Sequence, residues 1–123
     1  MGRKRFLLLI DDDPEICEIV TTALALEGLA VRTAFDAETG LELAGDDAAL
    51  VLLDVSLPGM DPSEFVRRYR DRRGARAPIV VFSAAQGAEE FARSIAADGI
   101  LVKPFELDEL IGLAAQYLTA VAA

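Results

Sequence analysis

The feature that most constrains how this chain folds is a regular alternation between short apolar runs and longer amphipathic segments. Each run is three to five residues long, a length typical of a strand. Four runs are nearly uninterrupted, as in strands buried on both faces of a parallel sheet, whereas Arg32 and Thr33 in the second predict an edge strand. The five runs are Phe6 to Ile10, Ala30 to Ala34, Leu50 to Leu53, Ile79 to Phe82 and Ile100 to Val102.

The segments between the runs have the apolar period of a helix. The pairs Asp13-Pro14 and Asp61-Pro62 each place a capping acid before a proline that suits the first helical turn. Gly28 is a suitable C-terminal stop for the first helix. The pattern is therefore a strand and a helix repeated five times. It predicts an α/β fold with a doubly wound, five-stranded parallel sheet of order 2-1-3-4-5.

Composition excludes several classes of site. The chain has no histidine and one cysteine, Cys17, which excludes His-ligated metals, Cys-based zinc sites and an internal disulfide. The formal net charge of −9, from 21 acids and 12 bases, disfavours direct binding to nucleic acid or an anionic membrane. The opening apolar run is too short for a signal peptide, and no stretch reaches the length of a membrane span. We therefore expect a cytoplasmic protein with one domain over residues 1–123.

Polar residues directly follow four of the predicted strands. Asp11 and Asp12 follow the first run, Asp54 the third, Ser83 the fourth and Lys103 the fifth. The carboxyl ends of parallel strands share one edge of a sheet, and the switch point of this strand order lies between the first and third strands. These side chains are therefore expected to converge in one crevice at that edge.

The carboxylates of this crevice need a compensating charge. Asp11, Asp12 and Asp54 would repel one another at a few ångströms unless their pKa values rise or a cation lies among them. Hard carboxylate oxygens without His or Cys nearby favour Mg²⁺. One Mg²⁺ and the Lys103 ammonium would balance three carboxylates, so the site could accept a phosphoryl group. Lys103 is expected to pair with Asp54 at rest and with a phosphoryl oxygen afterwards.

Four segments, in this order and at these separations, resemble the response-regulator receiver family over essentially the whole chain. They are LLLIDDDPEI, VLLDVSLPGMD, VVFSA and LVKPF. The resemblance implies a flavodoxin-like (βα)5 fold and a phosphoacceptor role in a two-component phosphorelay. The phosphoryl donor would be a histidine kinase or a histidine phosphotransfer protein.

The resemblance also assigns the acceptor and the metal ligands. Asp54 would attack the phosphorus of a phosphohistidine and become a phosphoaspartate. Asp11, Asp12 and Asp54, with the backbone carbonyl of Ser56, would hold Mg²⁺. The chain would catalyse only its own phosphorylation and dephosphorylation.

The resemblance implies further roles near the ends of the fourth and fifth strands. Ser83 would donate its hydroxyl to the phosphoryl group, Lys103 would neutralise it, and the Lys103–Pro104 bond would be cis. Phosphorylation would switch a face formed by the fourth helix, fifth strand and fifth helix, which binds an output partner. The chain is expected to be a monomer or a weak homodimer.

Two positions depart from the family pattern. The family has Tyr or Phe three residues before the lysine, where this chain has Ile100. Any signal is therefore expected to pass through the loop from Ser83 to Ala88 and the following helix without an aromatic rotamer change. Where the family often has Met-Asp-Gly, this chain has Pro62 after Asp61. Pro62 starts a helix in one interpretation and stiffens the loop beside the acceptor in another.

Two other functions stay open at this point. Ile100 and Pro62 are compatible with a receiver-like interaction module that works without phosphorylation. Asp11 and Asp13 after an apolar strand also resemble the opening of haloacid-dehalogenase-type phosphatases, in which Asp11 would be the nucleophile. The sequence ends soon after the fifth predicted helix, which fits either a stand-alone receiver or a receiver cut from a longer regulator.

Overall fold

The computed structural model describes residues 5–84 and 86–120, with side chains through residue 118. The ends of the expected 1–123 domain lie outside these residues. Strands and helices alternate through the described chain, as the apolar periodicity predicts. The strands are β1 (Phe6–Ile10), β2 (Val31–Ala34), β3 (Ala48–Leu53), β4 (Ile79–Ser83) and β5 (Gly99–Val102). The helices are α1 (Pro14–Leu26), α2 (Ala37–Ala44), α3 (Pro62–Arg70), α4 (Ala88–Ser94) and α5 (Leu107–Ala120).

The five strands form one parallel sheet in the order β2-β1-β3-β4-β5. This order confirms the predicted topology, and β2 lies at an edge, as its Arg32 and Thr33 indicate. The register pairs Ile10 with Leu53. The chain therefore leaves β1 and β3 side by side at the carboxyl edge of the sheet.

Both faces of the sheet are buried, which explains why the apolar runs are nearly continuous. Along β1, Leu7 and Leu9 pack in the cluster beneath α1 and α5. Leu8 and Ile10 pack in the cluster beneath α2, α3 and α4. Because successive side chains of a strand point to opposite faces, every position of such a strand must be apolar.

The helix starts agree with the capping signals. The Asp13 carboxylate accepts a hydrogen bond from the Glu15 amide at 2.9 Å, and the Asp61 carboxylate accepts one from the Ser63 amide at 2.8 Å. Each acid is followed by a proline in the first turn, so the interpretation of Pro62 as the start of a helix is confirmed. Among the described residues, no helix has the length and apolar character needed to cross a bilayer.

Candidate functional site

Two buried carboxylates and one exposed carboxylate lie together at the carboxyl edge of the sheet. Asp11 and Asp54 directly follow β1 and β3 and are buried, whereas Asp12 is exposed. The Asp54 amide donates to the Ile10 carbonyl at 3.0 Å, which keeps the two strand ends level. One carboxylate oxygen from each of the three acids lies within 4.8 Å of the others. The predicted carboxylate cluster is therefore present.

A loop amide binds one oxygen of each buried carboxylate. Asp11 Oδ1 accepts from the Asp13 amide at 3.0 Å, and Asp54 Oδ1 accepts from the Ser56 amide at 2.9 Å. These contacts fix the orientation of both carboxyl groups. Each group thereby directs its second oxygen, Oδ2, towards Lys103.

Lys103 brings a positive charge to both buried acids. Its Nζ lies 2.6 Å from Asp11 Oδ2 and 3.5 Å from Asp54 Oδ2. The Nζ also lies 4.6 Å from the centroid of the Phe82 ring, which is a cation–π distance. Sequence reasoning names Asp54 as the resting partner of Lys103, but Asp11 is the nearer one. The contact between Lys103 and Phe82 could not be predicted from the sequence, because Phe82 looks like any other apolar residue of a buried strand.

The pKa of the Asp54 carboxyl is raised above its ordinary value, chiefly because burial disfavours the charged form. The hydrogen bond from the Ser56 amide and the charge of Lys103 act in the opposite direction, and the neighbouring Asp11 raises the pKa further. Burial and Asp11 outweigh the two stabilising contacts. A further positive charge beside Asp54 would therefore favour its ionised form.

Ser83 is the last residue of β4 and is buried beside the start of the Lys103 segment. The Lys103 amide donates to the Ser83 carbonyl at 3.2 Å, and the Lys103–Pro104 peptide bond is cis. Ser83 also lines a cavity of about 380 Å³, which Ile100 lines as well. The five residues named from the strand ends are therefore gathered at one edge of the sheet. Ser56 contributes its backbone amide, which donates to Asp54 Oδ1. The sequence does not indicate this contact.

The carboxylate cluster fits a divalent ion of the size of Mg²⁺. Opposite ligands of an octahedral Mg²⁺ are about 4 Å apart, so oxygens within 4.8 Å of one another need only a small adjustment to share it. All three donors are hard carboxylate oxygens, the type that Mg²⁺ prefers. The Lys103 ammonium alone leaves the three acids with an excess of negative charge.

The sequence model of the response regulator receiver domain matches residues 7–115. The chain belongs to this family. Receiver domains are phosphoacceptors that bind Mg²⁺ through acidic residues, and their family implies a histidine kinase partner and an output domain. The chain is thus a receiver domain of the two-component response-regulator type.

Curated relatives of this receiver domain include transcriptional regulators. It is 36% identical over 107 residues to the transcriptional regulatory protein TctD of Salmonella typhimurium, covering 85% of this chain and 47% of TctD. It is 40% identical over 110 residues to the transcriptional activator protein PfeR of Pseudomonas aeruginosa, covering 85% of this chain and 34% of PfeR. The chain thus spans about half the length of TctD and a third of PfeR.

Solved structures of receiver proteins superpose closely on this receiver domain. The chemotaxis protein CheY4 of Vibrio cholerae has a TM-score of 0.82 at 28% identity, covering 94% of this chain and 100% of CheY4. The receiver domain of NtrX from Brucella abortus has a TM-score of 0.79 at 31% identity, covering 92% of this chain and 98% of that domain. The flavodoxin-like (βα)5 fold expected from the sequence is therefore confirmed.

Proposed function

We propose that this receiver domain accepts a phosphoryl group on Asp54 from a phosphohistidine of a histidine kinase or histidine phosphotransfer protein. The observation that carries the proposal is the position of the Asp54 carboxylate. It is buried at the carboxyl edge of the sheet, beside two further acids and 3.5 Å from the Lys103 ammonium. Such a site supplies a nucleophile, ligands for a metal ion and a compensating positive charge, which are the groups that phosphoryl transfer requires.

Asp54 acts as the nucleophile through its carboxylate. Its oxygen attacks the phosphorus as the bond from phosphorus to the donor imidazole nitrogen breaks, and that nitrogen keeps the bonding electron pair. The Ser56 amide, 2.9 Å from Asp54 Oδ1, fixes the carboxylate plane. Oδ1 is held by the Ser56 amide and Oδ2 faces Lys103 at 3.5 Å, so Oδ2 is the candidate attacking atom. Positioning of this kind lowers the barrier without any further acid or base.

Asp11, Asp12 and Asp54, with the backbone carbonyl of Ser56, would hold Mg²⁺ at this site. When bound, the ion supplies positive charge to the phosphoryl oxygens during transfer. Asp11 is fully buried and tied to Lys103, while Asp12 is exposed. Asp12 is therefore the ligand that moves most easily to complete the site.

Lys103 and Ser83 act on the phosphoryl group after transfer. The Lys103 ammonium moves from its contact with Asp11 Oδ2 to a phosphoryl oxygen, which carries more charge than the carboxylate it leaves. The Ser83 hydroxyl donates a hydrogen bond to another phosphoryl oxygen. These new contacts bias α4 and β5, which follow Ser83 in the fold, and so alter the output face formed by α4, β5 and α5.

An apolar groove beside the acceptor offers a docking surface for the phosphoryl donor. Ile19 is 50% exposed and Leu26 82% exposed on α1, and Leu107 at the start of α5 is also exposed. Together they line a groove of about 580 Å³, and Ile19 and Leu107 continue into a second one that reaches Lys103. The donor must bring its phosphohistidine to Asp54, so an apolar surface next to Lys103 suits its helices.

The alternative functions have less support in this geometry. Lys103 Nζ lies 2.6 Å from Asp11 Oδ2 but 3.5 Å from Asp54 Oδ2, so Asp11 is the less available of the two buried acids and the poorer candidate for a nucleophile. A phosphorylation-independent module would not need a lysine between two buried carboxylates. We further propose that the protein works in the cytoplasm as a monomer or weak homodimer, with no enzymatic activity beyond its own phosphorylation and dephosphorylation.

Beryllofluoride binding and phosphoryl labelling test the proposed function. Addition of Mg²⁺ with beryllofluoride should shift the amide resonances of residues near Asp54, Ser83 and Lys103. Acetyl phosphate should label Asp54, and Asp54→Asn should remove both responses. Asp71→Asn, which changes an exposed carboxylate at the end of α3, is the matched control and should respond as the wild type does. A label on Asp11 would instead support the phosphatase, and no label with no shift would reject the acceptor role.

A further inference from the structure

A cavity of about 380 Å³ lies between the first half of α4 and the end of β5. Its apolar lining includes Ala88, the half-buried Ile100 and Val102, which is 52% exposed. Ser83 also lines it, so one wall of the cavity is a residue of the phosphoryl site. The volume is at the lower end of the range of about 300–1,000 Å³ typical of small-molecule pockets. It has room for one ring rather than for an extended ligand.

The cavity lies at the N-terminal end of α4, where few contacts fix the helix. Gly87 precedes the helix in the left-handed region, with φ of 86°, and no side chain of the described residues caps the helix start. Among the described residues of α4, only Ala88 is buried. At the other end, the Arg70 guanidinium donates to the carbonyls of Ile95 and Ala96. The cavity can therefore adjust to an occupant by movement of the helix start alone.

The rim of the cavity carries an excess of negative charge. Glu89 and Glu90 in the first turn of α4 outnumber Arg93 in its last turn. An occupant that combines an aromatic ring with a neighbouring positive charge matches both the apolar lining and this rim. A second cavity, of about 490 Å³, shares Glu89, Arg93 and Ile100 with the first. A partner segment could thus continue along the groove between α4 and β5.

We propose that this cavity receives an aromatic side chain flanked by Lys or Arg from the output partner. The inference rests on the proposed function, because Ser83 links the cavity to the phosphoryl group. When Ser83 turns its hydroxyl to the phosphoryl oxygens, the inner wall of the cavity changes. Phosphorylation thereby alters the affinity of the cavity for the partner's ring.

Tyramine, a phenol ring with an ammonium group, is the probe, and 3-(4-hydroxyphenyl)propionate is its anionic control. Titration of the whole chain, followed by amide NMR, should give saturable shifts at Ala88, Ile100 and Val102. Tyramine should bind about two- to fivefold more tightly than the anionic control, the ratio expected from one exposed ion pair. Ile100→Tyr should abolish the shifts by filling the cavity. Glu90→Gln, an exposed change that leaves the cavity open, should reduce the preference for tyramine.

Absence of saturable shifts in the wild type, or unchanged tyramine binding in Ile100→Tyr, would overturn the proposed pocket. Equal affinity for the two probes would overturn the charged-partner chemistry. The titration is repeated with Mg²⁺ and beryllofluoride, which should change the tyramine affinity at least about twofold; an unchanged affinity would overturn the link through Ser83. Beryllofluoride shifts around Asp54 report the proposed function independently, so failure of one proposal is distinguishable from failure of the other.

Discussion

The Lys103 ammonium lies 2.6 Å from Asp11 Oδ2 but 3.5 Å from Asp54 Oδ2. The resting positive charge of the site is thus held mainly by the fully buried acid rather than by the proposed nucleophile. Asp54 Oδ2 therefore has the weaker contact with the ammonium, while Asp11 holds the lysine within reach of an incoming phosphoryl group. The same arrangement makes the stability of the fold depend on Lys103, because two buried carboxylates share it.

Lys103→Met should lower the free energy of unfolding by about 1–3 kcal/mol without Mg²⁺, since it leaves two buried carboxylates without their cation. The figure is below that of a fully buried pair because the Lys103 side chain is 15% exposed. Mg²⁺ should restore part of the loss in the variant. Arg68→Met, which removes the exposed ion pair with Glu64 on α3, should cost about 0.5 kcal/mol or less. Urea denaturation with EDTA or Mg²⁺ measures these values; equal losses in the two variants would contradict the resting pair.

Tyr69→Phe should destabilise the fold by about 1–2 kcal/mol at pH 8, because the buried Tyr69 hydroxyl accepts a hydrogen bond from the Ala77 amide at 3.1 Å. Burial raises the pKa of the Tyr69 phenol above 10. A raised folded-state pKa means that the contribution of Tyr69 is complete below pH 10 and is lost as the pH rises through the folded value. The difference between wild type and variant should therefore shrink as the pH rises above 10, as measured by urea denaturation. Tyr117→Phe on α5 is the control, and a difference that grows with pH would refute the assignment.

Gly40→Ala should destabilise the fold, although alanine favours helices by about 1 kcal/mol over glycine. A Cβ on Gly40 would lie 2.5 Å from Cδ1 and 2.9 Å from Cγ1 of Ile10, which is buried directly before Asp11. Overpacking of this kind costs about 1–3 kcal/mol. Gly112→Ala on α5 is the matched control, because a Cβ there meets no neighbouring side chain within 4 Å among the described residues, and it should stabilise. Thermal unfolding measures both variants, and Ile10→Val should relieve the Gly40→Ala defect by removing Cδ1.

The sheet and the positions of the candidate site residues could be predicted from the sequence because strand periodicity and strand ends are local signals. Each run of apolar residues that is buried on both faces marks a strand, and the polar residue after it must lie at the carboxyl edge. The predicted run for β3 misses the first two residues of the strand, which starts at Ala48. It misses them because two small alanines resemble the end of a helix as much as the start of a strand. β4 likewise includes Ser83, which was placed just after it.

The distances within the site could not be predicted, because they depend on contacts between residues far apart in sequence. Lys103 is 92 positions from Asp11 and 49 from Asp54, and no local pattern in the sequence indicates which acid lies nearer to it. Arg70 lies in the last turn of α3, yet its guanidinium binds the carbonyls of Ile95 and Ala96 at the end of α4. An arginine in the last turn of a helix gives no local sign of such a partner.

Ile19→Glu should slow phosphotransfer from a protein donor without changing phosphorylation by a small one. Ile19 lies in the groove beside Lys103 that is proposed to dock the donor, and a buried charge at the centre of an interface costs more than 1 kcal/mol. The initial transfer rate from a phosphorylated histidine phosphotransfer protein, one that phosphorylates the wild type, should fall about fivefold or more. The rate with acetyl phosphate should stay the same, because Asp54, Asp11 and Lys103 are untouched. Val102→Glu is the matched control.

The control adds the same charge at nearly the same exposure, 52% for Val102 and 50% for Ile19, but on the output face. It should leave both transfer rates unchanged. If both variants slowed transfer equally, added negative charge would explain the effect by general repulsion of the donor. If Ile19→Glu also slowed labelling by acetyl phosphate, the change would have disturbed the acceptor pocket itself. Only a loss confined to Ile19→Glu and to the protein donor assigns the groove between α1 and the start of α5 to the donor.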